Sequence, residues 1–164
     1  MVLEAAVQKE IDIANDEATI RARFQQMVDG WNHGYDEIFA SSIDDETDCV
    51  SSDGTHTKGR KESVSSRETL FGRRIKDALF VGTVKSVRFL APSVALVHAS
   101  GGIINSGGRK LFVEQESIQT LVAVKRSGKW YFTAFNGARI NPTRRKMKAK
   151  FVRFVSSLFM KLLE

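Results

Sequence analysis

Between Asp16 and His33 the apolar residues Ile20, Phe24, Val28 and Trp31, with Met27 beside them, recur at helical spacing, which predicts a helix with one buried stripe. Asn15 or Asp16 is placed to cap it, and Gly34 to stop it. The preceding segment, residues 1–15, reads as a short helical extension. Asp36 to Ser42 predicts one further short helix, Thr47 to Ser52 a strand closed by the turn dipeptide Asp53-Gly54, and Gly59 to Arg74 a polar helix carrying Val64, Leu70 and Phe71.

From Leu79 the period shortens. Phe80–Leu90, Val94–Ile104, Leu111–Arg126 and Trp130–Ile140 are rich in Val, Ile, Phe and Thr, and Ala91-Pro92, Asn105-Ser106-Gly107-Gly108 and Ser127-Gly128 separate them. Four long strands with short turns predict an antiparallel meander. With the helices gathered at the front, the fold class is α+β, a curved sheet wrapped around a long helix.

Turn length sets which side chains share a face. A two-residue turn at Ser127-Gly128 pairs Arg126 with Lys129, Ala123 with Phe132, Leu121 with Ala134 and Gln119 with Asn136 on one side of the sheet. Thr120, Val122, Val124, Tyr131, Thr133 and Phe135 then share the other. Both sides are largely apolar, whereas a sheet with one solvated face alternates with polar residues. One side suits the chain's own helices. The other calls for a second copy, in a two-fold homodimer through this outer face, or for the C-terminal helix.

The composition is that of a globular protein: 42% hydrophobic, 27% charged, 2 Pro in 164 residues, about one domain. The single Cys49 excludes an intrachain disulfide and fits a reducing compartment. Glu4, Lys9 and Glu10 interrupt the apolar run that a signal peptide needs, so the expected location is cytoplasmic. The net charge of +6 lies entirely beyond Pro142, where Arg144, Arg145, Lys146, Lys148, Lys150, Arg153 and Lys161 face Glu164 alone. Any polyanion attraction belongs to that segment.

The strings DEATIRARFQQMVDGWNHG, SSDGTHTKGR, VKSVRFLAPSVALVHASGG, ESIQTLVAVKRSGKW and AFNGARI resemble, in that order, the SgcJ/EcaC branch of the SnoaL-like, nuclear-transport-factor-2-like superfamily over Asp16 to Ile140. The resemblance implies a cone-shaped, cystatin-like α+β domain over residues 16–140, with a pocket between sheet and helix, commonly as a dimer. The superfamily holds isomerases, cyclases, dehydratases and epoxide hydrolases as well as proteins that only bind or assemble, so it implies no single activity. Gly34-Tyr35 and Asn136-Gly137 stand where such sequences usually carry Gly-Asp and Gln-Asn.

Among the titratable residues His98 stands out, because it interrupts the apolar run Val94-Ala-Leu-Val-His-Ala. If Gly107-Gly108 is also a two-residue turn, His98 faces Ser117 and joins Gln119 and Asn136 in the cavity. An imidazole there could move a proton, and an amide could stabilise the resulting oxyanion. The alternative is a hydrogen-bonded structural histidine. The expected cavity is lined by Trp31, Phe39, Leu96, Leu121, Ala123, Phe132 and Ala134, with His98, Ser117, Gln119 and Asn136 as its polar groups, the make-up of a small-molecule site. Glu114 and Glu116 fall on the outer face and Asp48 is unplaced, so no inward carboxylate is assigned. Binding of a small, largely apolar molecule is therefore the preferred reading, with a cofactor-independent isomerase, cyclase or dehydratase using His98 as the alternative.

His33, His56 and Cys49 share no metal-ligand spacing, the acidic run Asp44, Asp45, Glu46 and Asp48 lacks the pattern of a calcium loop, and the glycine pairs open no helix, so neither metal nor cofactor is expected. Residues 141–164 predict an amphipathic basic helix with Met147, Phe151, Phe154, Val155, Leu158 and Leu162 on one side. It suits packing on the body or on a second copy; contact with an anionic membrane is the lesser alternative, and no nucleic-acid module accompanies it.

Overall fold

The computed structural model describes residues 2–74, 78–105 and 112–140; the expectations for residues 141–164 lie outside them. Helix α1 (Val2–His33) is followed by α2 (Asp36–Ser42), β1 (Ile43–Val50), β2 (His56–Lys58), α3 (Gly59–Arg74), β3 (Ala78–Ala91), β4 (Val94–Asn105), β5 (Phe112–Arg126) and β6 (Lys129–Arg139). The six strands form one curved, unclosed sheet in the order β2-β1-β6-β5-β4-β3, so the α+β class holds. The β3 to β6 meander is antiparallel, and β1 joins β6 in parallel.

Helix α1 buries the expected stripe, Ile20, Phe24, Met27 and Val28, against Val84, Ala95, Val97, Ala99, Leu121, Ala123, Trp130 and Phe132 of the sheet. Neither Asn15 nor Asp16 begins the helix, which runs unbroken from Val2. Asp16 instead accepts hydrogen bonds from Lys125 Nζ at 2.7 Å and Trp130 Nε1 at 2.9 Å, fixing α1 to the β5–β6 hairpin. Burial alone would raise this carboxyl, but the hydrogen bonds from Lys125 and Trp130 and the ammonium charge hold it below the usual carboxylate range. Farther along α1, Arg21 Nη1 donates to the Val84 carbonyl at 2.9 Å. Asn32 makes two hydrogen bonds of 2.8 Å with the backbone of Phe80, one through each atom of its amide.

Ser127 and Gly128 both have positive φ, 49° and 77°, the twist of a two-residue hairpin turn, and the expected pairing from Arg126–Lys129 to Ala123–Phe132 holds. There the ladder slips: Val122 pairs with Ala134, leaving Thr133 as an extra residue in a β-bulge. Beyond it Leu121 pairs with Phe135, Thr120 with Asn136 and Gln119 with Gly137. A bulge inverts facing, so Phe135 and Gly137 turn to the helix side, and Ala134 and Asn136 to the outer side.

The β4–β5 connection corrects the second register. Its ladder ends at Asn105–Phe112, so the connection is longer than a two-residue turn by an even number of residues, which keeps facing; the shift between Ile103 and Ile104 is what inverts it. His98 pairs with Thr120, not Ser117, and stands on the outer face with Leu96, between the buried Val97 and Ala99. The outer face leaves Leu79, Val81, Leu90 and Ile118 between 42% and 53% exposed.

Candidate functional site

A cavity of about 280 Å³ opens between α1, α2, α3 and the concave side of the sheet. It lies at the small end of ligand sites, roughly 300 Å³ upward. Its apolar wall is aromatic: Trp31 and Phe39 meet edge to face at 6.0 Å, and Phe80, Phe132 and Phe135 come from the strands. Met27, Val28 and Ile43 fill between them. The approach of α2 that brings Phe39 in depends on Gly30, where a Cβ would stand 2.6 Å from the Phe39 nitrogen.

The opposite wall carries small polar groups. Thr47 and Cys49 alternate inward along β1, with Thr47 Oγ1 3.7 Å from Cys49 Sγ. Thr57, Ser63 and Ser66 complete the wall. Thr57 and Ser63 share a hydrogen bond of 3.2 Å, and Ser63 donates to the Gly59 carbonyl, so these hydroxyls are already engaged.

Gln119 lies deep in the cavity, 1% exposed. Its Nε2 donates to Ser117 Oγ at 3.0 Å, and Ser117 Oγ donates onward to the Gly101 carbonyl at 3.4 Å. This relay orients the amide, because the serine proton is spent on Gly101 and Ser117 must accept from Gln119. Gln119 Oε1 is then left buried without a partner among the described residues. At the exposed end stand Ser51, Ser52, Asp53 and Arg139, with Arg139 Nε donating to Ser52 Oγ at 3.4 Å. Asp53 accepts from the Thr55 backbone N–H at 3.0 Å, and this bond above all, with a smaller contribution from the Arg139 charge, holds its carboxyl below the usual range.

Of the residues expected here, Trp31, Phe39, Ser117, Gln119 and Phe132 line the cavity. Leu121 and Ala123 face the same side of the sheet but are packed wholly into the core. Leu96, His98, Ala134 and Asn136 are on the other face, for the register reasons above. Asp48 also points away, paired at 3.0 Å with His56, where both side chains are half-exposed. The sequence reading missed Thr47, Cys49, Asp53, Phe80, Phe135 and Arg139. Alternation along β1 could have found Thr47 and Cys49; Phe135 and Arg139 depend on the unforeseen bulge. Among the described residues no group of His, Cys, Asp and Glu is arranged to hold a metal ion, and no helix is long and apolar enough to cross a membrane.

These elements define a cystatin-like fold. The chain is similar to a domain of unknown function with a cystatin-like fold from Nostoc punctiforme, at 29% identity and a TM-score of 0.72, covering 90% of this chain and 96% of that one. An uncharacterised protein with a cystatin-like fold from Caulobacter vibrioides matches at 26% identity and a TM-score of 0.66, over 79% of this chain and 93% of that one. A hexachlorocyclohexane dehydrochlorinase, LinA-type3, from Novosphingobium barchaimii shares the fold at 16% identity and a TM-score of 0.70, over 80% and 91% of the two chains. No protein-family model matches the sequence, and no curated protein does.

Proposed function

We propose that this protein binds a small, largely apolar molecule in the cavity between α1 and the sheet, as a member of the SgcJ/EcaC branch of the SnoaL-like superfamily. The observation that carries the reading is the lining itself: five aromatic rings and three aliphatic or thioether side chains around about 280 Å³, with one buried amide and a few hydroxyls to orient a guest. Desolvating an apolar guest there is favourable, and the aromatic edges and faces give it shape specificity.

The alternative, a cofactor-independent acid–base enzyme, draws support from enzymes of the same fold such as the dehydrochlorinase. At that identity the likeness reaches the fold alone, and His98, the group chosen for proton transfer, stands outside the cavity. Proton transfer inside it would fall to Asp53, an exposed carboxylate with a depressed pKa, which makes a weak base.

Native mass spectrometry of the purified protein tests the proposal. A co-purifying small molecule that Phe135→Trp, a cavity-filling change, displaces is the expected result. An empty protein that takes up no apolar probe overturns it. His98→Ala should leave probe affinity unchanged, whereas loss of binding would return His98 to the site.

A further inference from the structure

The orphaned carbonyl of Gln119 asks for a hydrogen-bond donor, and nothing in the protein's described residues supplies one. A buried acceptor left unpaired is destabilising, and a guest that satisfies it recovers that cost on binding. Ser117 orients the amide, its hydroxyl accepting from the Gln119 nitrogen and donating to the Gly101 carbonyl. The Gln119 end of the cavity is therefore selective for an O–H or N–H donor over an ether or a carbonyl.

The other end is fixed by the same two strands. Gln119 pairs with Gly137 and Ser117 with Arg139, so Arg139 lies two residues along β6 from the Gln119 row on the same face. Two residues of antiparallel strand span roughly 7 Å, with the arginine side chain reaching farther toward Ser52. The rings of Phe135 and Phe132 lie beyond the Gln119 row, on the side away from Arg139, because Phe135 pairs with Leu121 and Phe132 with Ala123. Arg139 is the cation lining the described cavity, and a guanidinium fork matches a carboxylate. Asp53 shares this end, but its carboxylate is engaged by the Thr55 backbone, so it weakens the attraction without occupying the fork.

Resting on the binding reading above, we infer that the guest is a hydroxylated aromatic or alicyclic carboxylic acid, its hydroxyl donating to Gln119 Oε1 deep in the cavity and its carboxylate held by Arg139 at the mouth. The two polar groups would orient it, and the rings would pack against its body.

Calorimetric titration of the full-length protein with four probes tests this: a hydroxynaphthoic acid with its two groups at opposite ends, the unsubstituted naphthoic acid, the methoxy analogue and naphthol. The hydroxy acid should bind tightest. Removing or methylating the hydroxyl should weaken binding about tenfold, and removing the carboxylate about three- to tenfold. Gln119→Leu should erase the difference between hydroxy acid and naphthoic acid, Arg139→Ala the difference between hydroxy acid and naphthol, and Asp53→Asn should tighten both acids. Equal affinity for all four probes overturns this inference while leaving the apolar-guest reading intact. Failure of every probe to bind overturns both. Because the series runs on the unaltered protein, the result does not depend on any variant folding.

Discussion

Asn32 and Phe80 exchange two hydrogen bonds of 2.8 Å, the side-chain amide of α1 standing where a neighbouring strand would stand on the edge strand β3. One residue earlier Trp31 enters the cavity, and Phe80 lines it too, so this contact fixes two of its five rings.

Replacing Asn32 with Leu leaves the Phe80 N–H and carbonyl without those partners. The expected cost is about 1–3 kcal/mol, a fall in Tm of roughly 2–4 °C for each kcal/mol in a chain of this size. Thermal melts followed by circular dichroism check it. An unchanged Tm would show that water replaces the amide at no cost.

Asp16 makes stability depend on acid. Its folded pKa lies below the ordinary value of 3.8, so the unfolded chain binds its proton first as pH falls. The stabilisation it provides is present above that value and is lost as pH drops through the folded pKa. Asp16→Asn should therefore lower stability at pH 7 and flatten the decline of the wild type below pH 4, measured by urea unfolding across that range. Parallel curves for the two proteins would refute this.

Gly30→Ala should destabilise the protein although alanine favours helix, because the added carbon meets the Phe39 backbone at 2.6 Å and α2 must shift. Loss of probe affinity together with a lower Tm is the expected pair of results; a rise in Tm, the outcome for an open helical site, would contradict the packing.

Cys49, the sole cysteine, is a built-in reporter of the cavity. A small apolar maleimide should label it in the folded protein, and saturating hydroxynaphthoic acid should slow the labelling at least tenfold. Labelling that ignores the ligand would place the guest elsewhere.

The exposed Leu79, Val81, Leu90 and Ile118 give the outer face an apolar character, consistent with a two-fold homodimer formed there. Light scattering at micromolar concentration should return twice the 18.3 kDa chain mass, and Val81→Lys should reduce it to one. A monomeric wild type sinks the proposal.

Much of the architecture could be read from periodicity, because buried stripes and short turns are local properties. The α1 stripe, α3 from Gly59 to Arg74 and the Ser127-Gly128 hairpin lie where their residues place them. The short strand β2 and the parallel pairing of β1 with β6 escaped notice, since three residues carry no period and a parallel partner lies far away in sequence. The site was harder still. Facing depends on parity, and parity accumulates every bulge and loop residue between two strands. One extra residue at Thr133 sent Asn136 outward and brought Phe135 in, and the register shift between Ile103 and Ile104 turned His98 away. Gln119 and Ser117 kept their expected side, because the error in the partner strand did not move them.

The bulge at Thr133 also makes the cavity lining depend on where one extra residue sits. Moved along β6 past Asn136, it would let Leu121 pair with Ala134 and Gln119 with Asn136, trading Phe135 and Gly137 for Ala134 and Asn136 on the concave side and exchanging a ring for a methyl and a bare backbone for an amide. The hairpin turn, the core up to Phe132 and the tie from Asp16 to Trp130 would all stay in place. One chain length can thus present two chemically different linings on this scaffold, according to where its extra residue sits.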